Sequence, residues 1–257
     1  MRSYVPGYDL IQGTGIEHVL EMLGEYRPFA GGTDIMVLFE AGKLAHKNWI
    51  NIRGLLALRG IDVTTEHVTL GPLTTYTEVR RSLILQQEFP LLCQAAEQTG
   101  GIATQNRGTI GGNIANASPA ADTPPALLVY DAEVELTSSA RGARWVSYCK
   151  FHRGYKQMDM APDELLTRIR VPRRFKGWTH FYRKVGTRRA QAISKVCFAG
   201  LKRGGEVRVA LGSVAPIPML LHGANIGAIH PIDDIRSTAD YRLTVARNLL
   251  EDFLKLP

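Results

Sequence analysis

Two short glycine-bearing segments hold the residues best suited to chemistry in this chain. The first is Pro28, Phe29, Ala30, Gly31, Gly32, Thr33, Asp34 and Ile35; the second is Thr109, Ile110, Gly111, Gly112 and Asn113, running on through Ser118 to Asp122. Paired glycines admit positive φ and let consecutive backbone N–H groups converge on an anion. Thr33 adds a hydroxyl donor, and Asn113 brings two amide donors and a carbonyl. Neither segment is a complete G-x-G-x-x-G fingerprint or a Walker lysine loop. Far apart in sequence, the two could clamp one pyrophosphate from opposite sides and so hold a dinucleotide. Taken singly, each has a plainer reading: a tight turn into a helix for the glycine pairs, a left-handed turn for Asn113, and a helix cap for Asp122 ahead of Thr-Pro-Pro.

Taken together and in order, A-G-G-T-D at 30–34, T-I-G-G-N at 109–113 and A-S-P-A-A-D at 117–122 resemble the FAD-binding (medium) subunit of the molybdenum hydroxylases, of xanthine dehydrogenase and carbon monoxide dehydrogenase type. F-Y-R-K-V-G-T-R-R-A-Q-A at 181–192, A-L-G-S-V-A-P at 210–216 and D-D-I-R-S-T-A-D-Y-R at 233–242 extend the resemblance over nearly the whole chain. It implies that both loops wrap the FAD diphosphate and that Asp122 hydrogen-bonds the cofactor, with Ser118 shaping the turn beside it. It also implies that Ile193 packs near the isoalloxazine, that Lys195 favours its reduced anionic form, and that Ile169 is an apolar neighbour. Without the resemblance, Lys195 reads equally as a residue snorkelling from a half-buried strand. No catalytic side chain is implied, because the flavin carries the chemistry. Nothing here matches molybdopterin-binding or iron–sulfur segments, so those centres are expected on a large and a small partner subunit, with NAD or another molecule as terminal acceptor. Residues 219–232 replace what is usually a longer helical segment, a trimmed C-terminal part.

Bulk properties agree with an ordinary globular chain. The 257 residues are 45% hydrophobic and 21% charged, enough for one large domain or two modest ones. Cys93, Cys149 and Cys197 are far apart with no C-x-x-C pair, which excludes a disulfide framework and any iron–sulfur or zinc motif. The opening residues through Gly7 do not lead into an apolar signal core, and no apolar run approaches the ~20 residues of a membrane span. The expected location is the cytoplasm. The seven histidines are scattered without metal-ligand spacing, and no G-x-S-x-G elbow is present.

Net charge is +7, yet its placement says more: between Leu165 and Gly205 there are twelve Lys or Arg and no Asp or Glu. This run reads as a solvated basic face, or as an attractor for FAD, an anionic acceptor or an acidic partner. Nucleic acid also favours such charge, but no reader motif accompanies it. Two alternatives therefore stand beside the resemblance: a stand-alone flavin oxidoreductase of the same fold, and a cofactor-free basic binding module.

The elements that must position the loops follow from periodicity. Thr14 and Glu17 have capping-box spacing ahead of Ile16, Val19, Leu20 and Leu23, a short amphipathic helix. Phe29 and Ala30 read as a strand into the first loop, a helix follows Asp34, and 49–52 reads as a buried strand. Next come a strand at 68–70, a helix capped by Thr77, a helix over 91–99, a strand pair about the Arg141–Gly142 turn, and a strand over 165–171 stopped by Pro172. Strand-like runs at 179–185, 193–201 and 207–214 precede a helix over 240–254. The fold class is α+β. The resemblance adds its detail: a two-part FAD-binding domain of the vanillyl-alcohol-oxidase/PCMH type over 1–176, with subdomains of about 1–57 and 58–176. A CO dehydrogenase flavoprotein C-terminal-like domain follows over 177–257, a three-stranded antiparallel sheet plus a helix.

Overall fold

Val19 and Ile50 lose all contact with water, and Ile52 nearly all, so the first sixty residues close on a small core of their own. In the computed structural model, which describes residues 7–189 and 191–257, this unit is a parallel sheet. Its strands are β1 (Asp9–Gln12), β2 (Arg27–Phe29) and β3 (Asn48–Asn51), in the order β1-β3-β2. Helices α1 (Ile16–Met22) and α2 (Ile35–Glu40) make the connections that parallel neighbours require. The expected capping box does not form. Gly15 occupies the cap position with no side-chain bond, and Thr14 Oγ1 pairs instead with His18 Nδ1 at 3.0 Å. Residues 1–6, read above for a signal, and Ala190, within the 181–192 stretch, lie outside the described residues.

The middle unit is an antiparallel sheet with helices on one face. Its strands are β4 (Ile61–Val63), β5 (His67–Leu70), β6 (Glu133–Ser138) and β7 (Gly142–Ser147), with a small hairpin of β8 (His152–Gly154) and β9 (Gln157–Met158) alongside, and a long β10 (Glu164–Pro172). The order is β4-β5-β10-β6-β7, so β10 is central and is buried along most of its length. The helices are α3 (Tyr76–Arg81), α4 (Leu83–Glu88), α5 (Pro90–Gln98), α6 (Ile102–Arg107), α7 (Ile110–Asn116), α8 (Pro124–Val129) and α9 (Tyr148–Phe151). A true capping box starts α3, but on Thr75 and Glu78 rather than on Thr77. Thr77 instead bonds Asn106 on α6 at 2.6 Å. Leu70, Leu91, Ala95, Leu127, Val134 and Val171 join one core beneath the helices.

Past Lys176 the chain forms a meander of β11 (Thr179–Val185), β12 (Val196–Arg203), β13 (Glu206–Gly212) and β14 (Met219–Leu221), each antiparallel to the next. Helix α10 (Ala239–Leu254) covers one face, where Phe253 and Ala246 are fully buried against Phe198 and Val209. Burying a Phe side chain is worth about 2–3 kcal/mol, which holds α10 in place. Helices α5 and α8 cover the other face, so β12 is buried almost throughout. Two corrections follow. The sheet has a fourth short strand, and β12 begins at Val196, leaving Ile193 and Lys195 in the preceding loop.

Candidate functional site

The fold brings the two glycine segments into contact. A Cβ on Gly31 would lie 2.2 Å from the Arg107 carbonyl oxygen and 3.0 Å from Gly108 Cα, so the first loop rests on the backbone that opens the second. Gly32 has φ +74°, and a Cβ there would meet the Phe29 ring at 2.5 Å, so this is the position where left-handed backbone requires glycine. Gly31 and Gly112 have no positive φ. Gly31 is needed for close approach, and Gly112 lies in the first turn of α7. Gly111 is shaped by packing, since a Cβ would strike Pro72 at 2.4 Å.

The two loops are not equivalent as anion donors. Among the described residues, the amides of Gly31, Gly32, Thr33, Asp34 and Ile35 donate to nothing in the protein. Those of the second loop are taken. Ile110 donates to the Thr74 carbonyl and Gly111 to that of Pro72, both at 2.9 Å, Gly112 donates to Thr109 Oγ1 at 3.1 Å, and Asn113 donates to the Thr109 carbonyl. Thr109 is therefore the cap of α7, and the second loop contributes shape and side chains while the first contributes free N–H groups. Asn113 accepts from Thr123 Oγ1 at 2.5 Å and lies beside the buried Tyr76 phenol. Burial, with the Asp122 and Asp34 carboxylates, pushes that phenol well above its ordinary range.

Three residues join the site that sequence reasoning missed. Tyr76 underlies both loops: its N–H donates to the Gly108 carbonyl at 3.2 Å. Arg53, just after β3, and Arg107, at the end of α6, have side chains with no acid partner among the described residues. Burial, then the neighbouring Arg107 and Arg59, hold the Arg53 guanidinium below its ordinary range, so these cations lie close together. As isolated arginines outside any motif, they carried no sequence signal.

Asp122 is buried, and its carboxylate meets Lys184 Nζ at 2.7 Å through Oδ2, while Oδ1 is buried without a partner. Burial pushes its pKa up to about 6 against the lowering effect of the Lys184 ammonium. Ser118 Oγ accepts from the Ala120 N–H at 3.3 Å, the turn-shaping contact expected of it. Ser213 N–H donates to the Pro119 carbonyl, and its hydroxyl pairs with that of Ser194 at 2.5 Å, so the end of β13 and Ser194 abut the 118–122 segment. Ile193, next in chain, is half exposed there; the Lys195 ammonium sits 4.9 Å over the Tyr241 ring of α10. Ile169 is corrected to a core residue. It is fully buried in β10, in register with Leu70 and Val134, and shows no surface to a cofactor.

Half of the basic run is taken up by acids of the protein, Arg168 with Glu135 among them. Arg170 pairs with Glu133, Arg173 and Lys176 with the buried Glu88, Arg174 with Asp131, and Lys184 with Asp122; Lys202 donates to carbonyls at the end of α10. That pairing halves the charge the run could offer a basic binding module. Two surface pockets lie elsewhere, one of about 530 Å³ lined by Arg80, Cys93 and Asn106, and one of about 270 Å³ beside Trp178. No cluster of His, Cys, Asp or Glu suited to a metal occurs among the described residues.

The FAD binding domain of molybdopterin dehydrogenases matches residues 8–174. The chain belongs to that family. The xanthine dehydrogenase FAD-binding subunit of Escherichia coli O157:H7 is 34% identical over 199 residues, covering 74% of this chain and 67% of that protein. The glyceraldehyde dehydrogenase medium chain of Sulfolobus acidocaldarius is 31% identical over 222 residues, covering 84% and 78%. Among solved structures, a carbon monoxide dehydrogenase from Hydrogenophaga pseudoflava superposes with a TM-score of 0.89 at 25% identity, over 98% of this chain and 97% of that one. The relatives are dehydrogenase subunits, and the α+β architecture of this family member is theirs. The residues present suit an anionic dinucleotide: free amides at 31–35, unpaired Arg53 and Arg107 beside them, and an orphaned carboxylate oxygen for a hydroxyl. Among the described residues, no helix is long and apolar enough to cross a membrane.

Proposed function

We propose that this chain is the FAD-carrying electron-transfer subunit of a cytoplasmic molybdenum hydroxylase complex. It would work with an iron–sulfur small subunit and a molybdopterin large subunit, and pass electrons to NAD or another acceptor. The observation that carries the reading is the row of unsatisfied amides at 31–35, set against the Arg107–Gly108 backbone and flanked by two unpaired arginines. In this reading Pro28, Phe29 and Ala30 deliver the first loop, whose amides hold the diphosphate with Thr33 Oγ1. Asp34 and Asn113 take sugar and polyol hydroxyls. The chemistry supplied there is the isoalloxazine's acceptance and release of electrons. Ile193, exposed beside Ser194, offers the ring an apolar contact, and Lys195, seated on Tyr241, places a cation near it. None of these side chains need move a proton. The domain division stays near Lys176.

The test is reconstitution followed by assembly. Purified protein should take up FAD stoichiometrically, turn yellow and show no hydroxylation alone. Isolated from its native cells, it should come as a complex with iron–sulfur and molybdenum centres. A chain that binds no FAD, or one that hydroxylates substrate by itself, would overturn the proposal.

A further inference from the structure

Strand β11 grips Asp122 twice. The Tyr182 hydroxyl donates to the Asp122 main-chain carbonyl at 3.0 Å, and two residues on, on the same face of the strand, Lys184 Nζ donates to Asp122 Oδ2 at 2.7 Å. Lys184 is itself moored: it donates to the Gln98 carbonyl at the end of α5 at 2.8 Å. Both side chains of the pair are under a tenth exposed, at 7% and 8%. The pair thus ties α5, β11 and the 118–125 segment at one point. The Thr99 hydroxyl faces this carboxylate but donates its proton to the Ala95 carbonyl at 2.8 Å, so among the described residues Oδ1 is buried without a hydrogen bond. Such an oxygen is costly to bury unpaired, and a ligand hydroxyl would relieve the cost. The groups around it lead back to the loops: Thr123, next in chain, bonds Asn113, and Asn113 lies beside Tyr76 under the first loop.

We propose that Lys184 is a positioning residue of the FAD site, its ammonium fixing Oδ2 of Asp122 so that Oδ1 remains a charged acceptor for a hydroxyl of the bound dinucleotide. The inference rests on the FAD reading above. An ionised Asp122 can only accept; a protonated one turns one oxygen into a donor and loses the stronger, charge-assisted bond. Burial already pushes this carboxyl up to about 6 with the ammonium in place, and removing the ammonium removes the main opposing influence. The other titratable groups facing it stay neutral near pH 7. Burial drives the Tyr76 and Tyr182 phenols and the Cys197 thiol upward, and Thr99 offers only a hydroxyl. Among the described residues, Lys184 is the one cation on Asp122.

FAD-free protein titrated with FAD by flavin fluorescence quenching, from about pH 5 to about pH 8, tests this. Wild type should bind fully above about 6 and lose affinity as pH falls through it. Lys184→Met should move that acid limb upward and weaken binding at neutral pH by roughly tenfold per unit of displacement. Lys184→Arg should restore the wild-type profile, and Asp122→Asn should erase the limb. Wild-type affinity and profile in Lys184→Met overturn the proposal. Melting of each FAD-free variant is recorded alongside; should Lys184→Met not fold, the wild-type limb and its loss in Asp122→Asn decide, and the absence of either overturns it. A wild-type chain that binds no FAD at any pH refutes the FAD reading instead.

Discussion

Gly31→Ala isolates the contact on which the clamp depends. The added Cβ would lie 2.2 Å from the Arg107 carbonyl oxygen and 2.9 Å from its carbon, against ordinary contacts that begin at 3.4 Å. Both partners are backbone, so neither can swing away as a side chain would. The loops must part by about 1 Å to recover van der Waals separation. Amide hydrogen bonds occupy a narrow window of about 2.7–3.2 Å, so a parting of that size takes donors of the 31–35 row out of range of a ligand seated against the second loop. Losing two amide–phosphate bonds, at about 1.5 kcal/mol or more each, weakens FAD binding by about 3 kcal/mol, or roughly two decades in Kd. Stability should fall less, by about 1–3 kcal/mol, because overpacking here strains a surface loop and leaves the cores alone.

The assay is FAD titration of the apoprotein at one temperature, with urea unfolding of each variant. Gly205→Ala is the control: nothing lies within 4 Å of its Cβ, its φ is not positive, and both measurements should stay at wild-type values. A folded Gly31→Ala protein that binds FAD within roughly threefold of wild type would refute the two-loop clamp.

Three further outcomes follow from particular contacts. Arg53→Gln and Arg107→Gln should each weaken FAD binding about 3–10-fold and flatten its salt dependence, measured by titration at low and high ionic strength; unchanged salt dependence in both would remove the arginines from the site. Ile169→Val should cost about 1 kcal/mol of stability in urea and leave the FAD constant unaltered, because the side chain is sealed in the core. Glu88→Gln should cost about 2–3 kcal/mol, since Arg173 donates to both carboxylate oxygens at 2.7 and 2.8 Å and Lys176 approaches at 3.1 Å. Those cations hold Glu88 below its ordinary 4.5, so its contribution is present above that pH and disappears as pH falls through the depressed value; acid unfolding of the variant should be correspondingly flatter.

Much of the architecture could be read from the chain because local and tertiary preferences agree. The spacing of Val19 with Ile16 and Leu20, the turn at Arg141–Gly142 and the apolar run of β11 all mark elements that form where the pattern puts them, while β12 starts three residues later than its run. The failures occur where tertiary bonds outrank propensity. Residues 110–116, I-G-G-N-I-A-N, have two glycines that argue against a helix, yet α7 forms because Thr109 caps it and Thr74 and Pro72 accept its first amides. The same two glycines then cannot present free N–H groups, so the second loop looked like an anion cradle and is a supporting wall. Thr14 met the capping-box spacing and lost it to His18, whereas Thr75, with Glu78 three residues on, formed the box that Thr77 seemed to promise.

Charge was the least readable quantity, and for a definite reason: a carboxylate's partner is set by the fold and not by its neighbours in sequence. Asp122 and Lys184 are 62 positions apart, and Glu88 and Arg173 are 85 apart. An unbroken basic run therefore looked like one outward face. In the folded chain its members turn to different acids contributed by earlier segments, because a buried carboxylate such as Glu88 or Asp122 must bring a cation with it. Beside the first loop the positive charge comes from outside that run, at Arg53 and Arg107, two isolated residues that the β3 turn and the end of α6 deliver to the same place. Net charge thus says little of the site, which is marked by where two unpaired cations, Arg53 and Arg107, gather beside free amides.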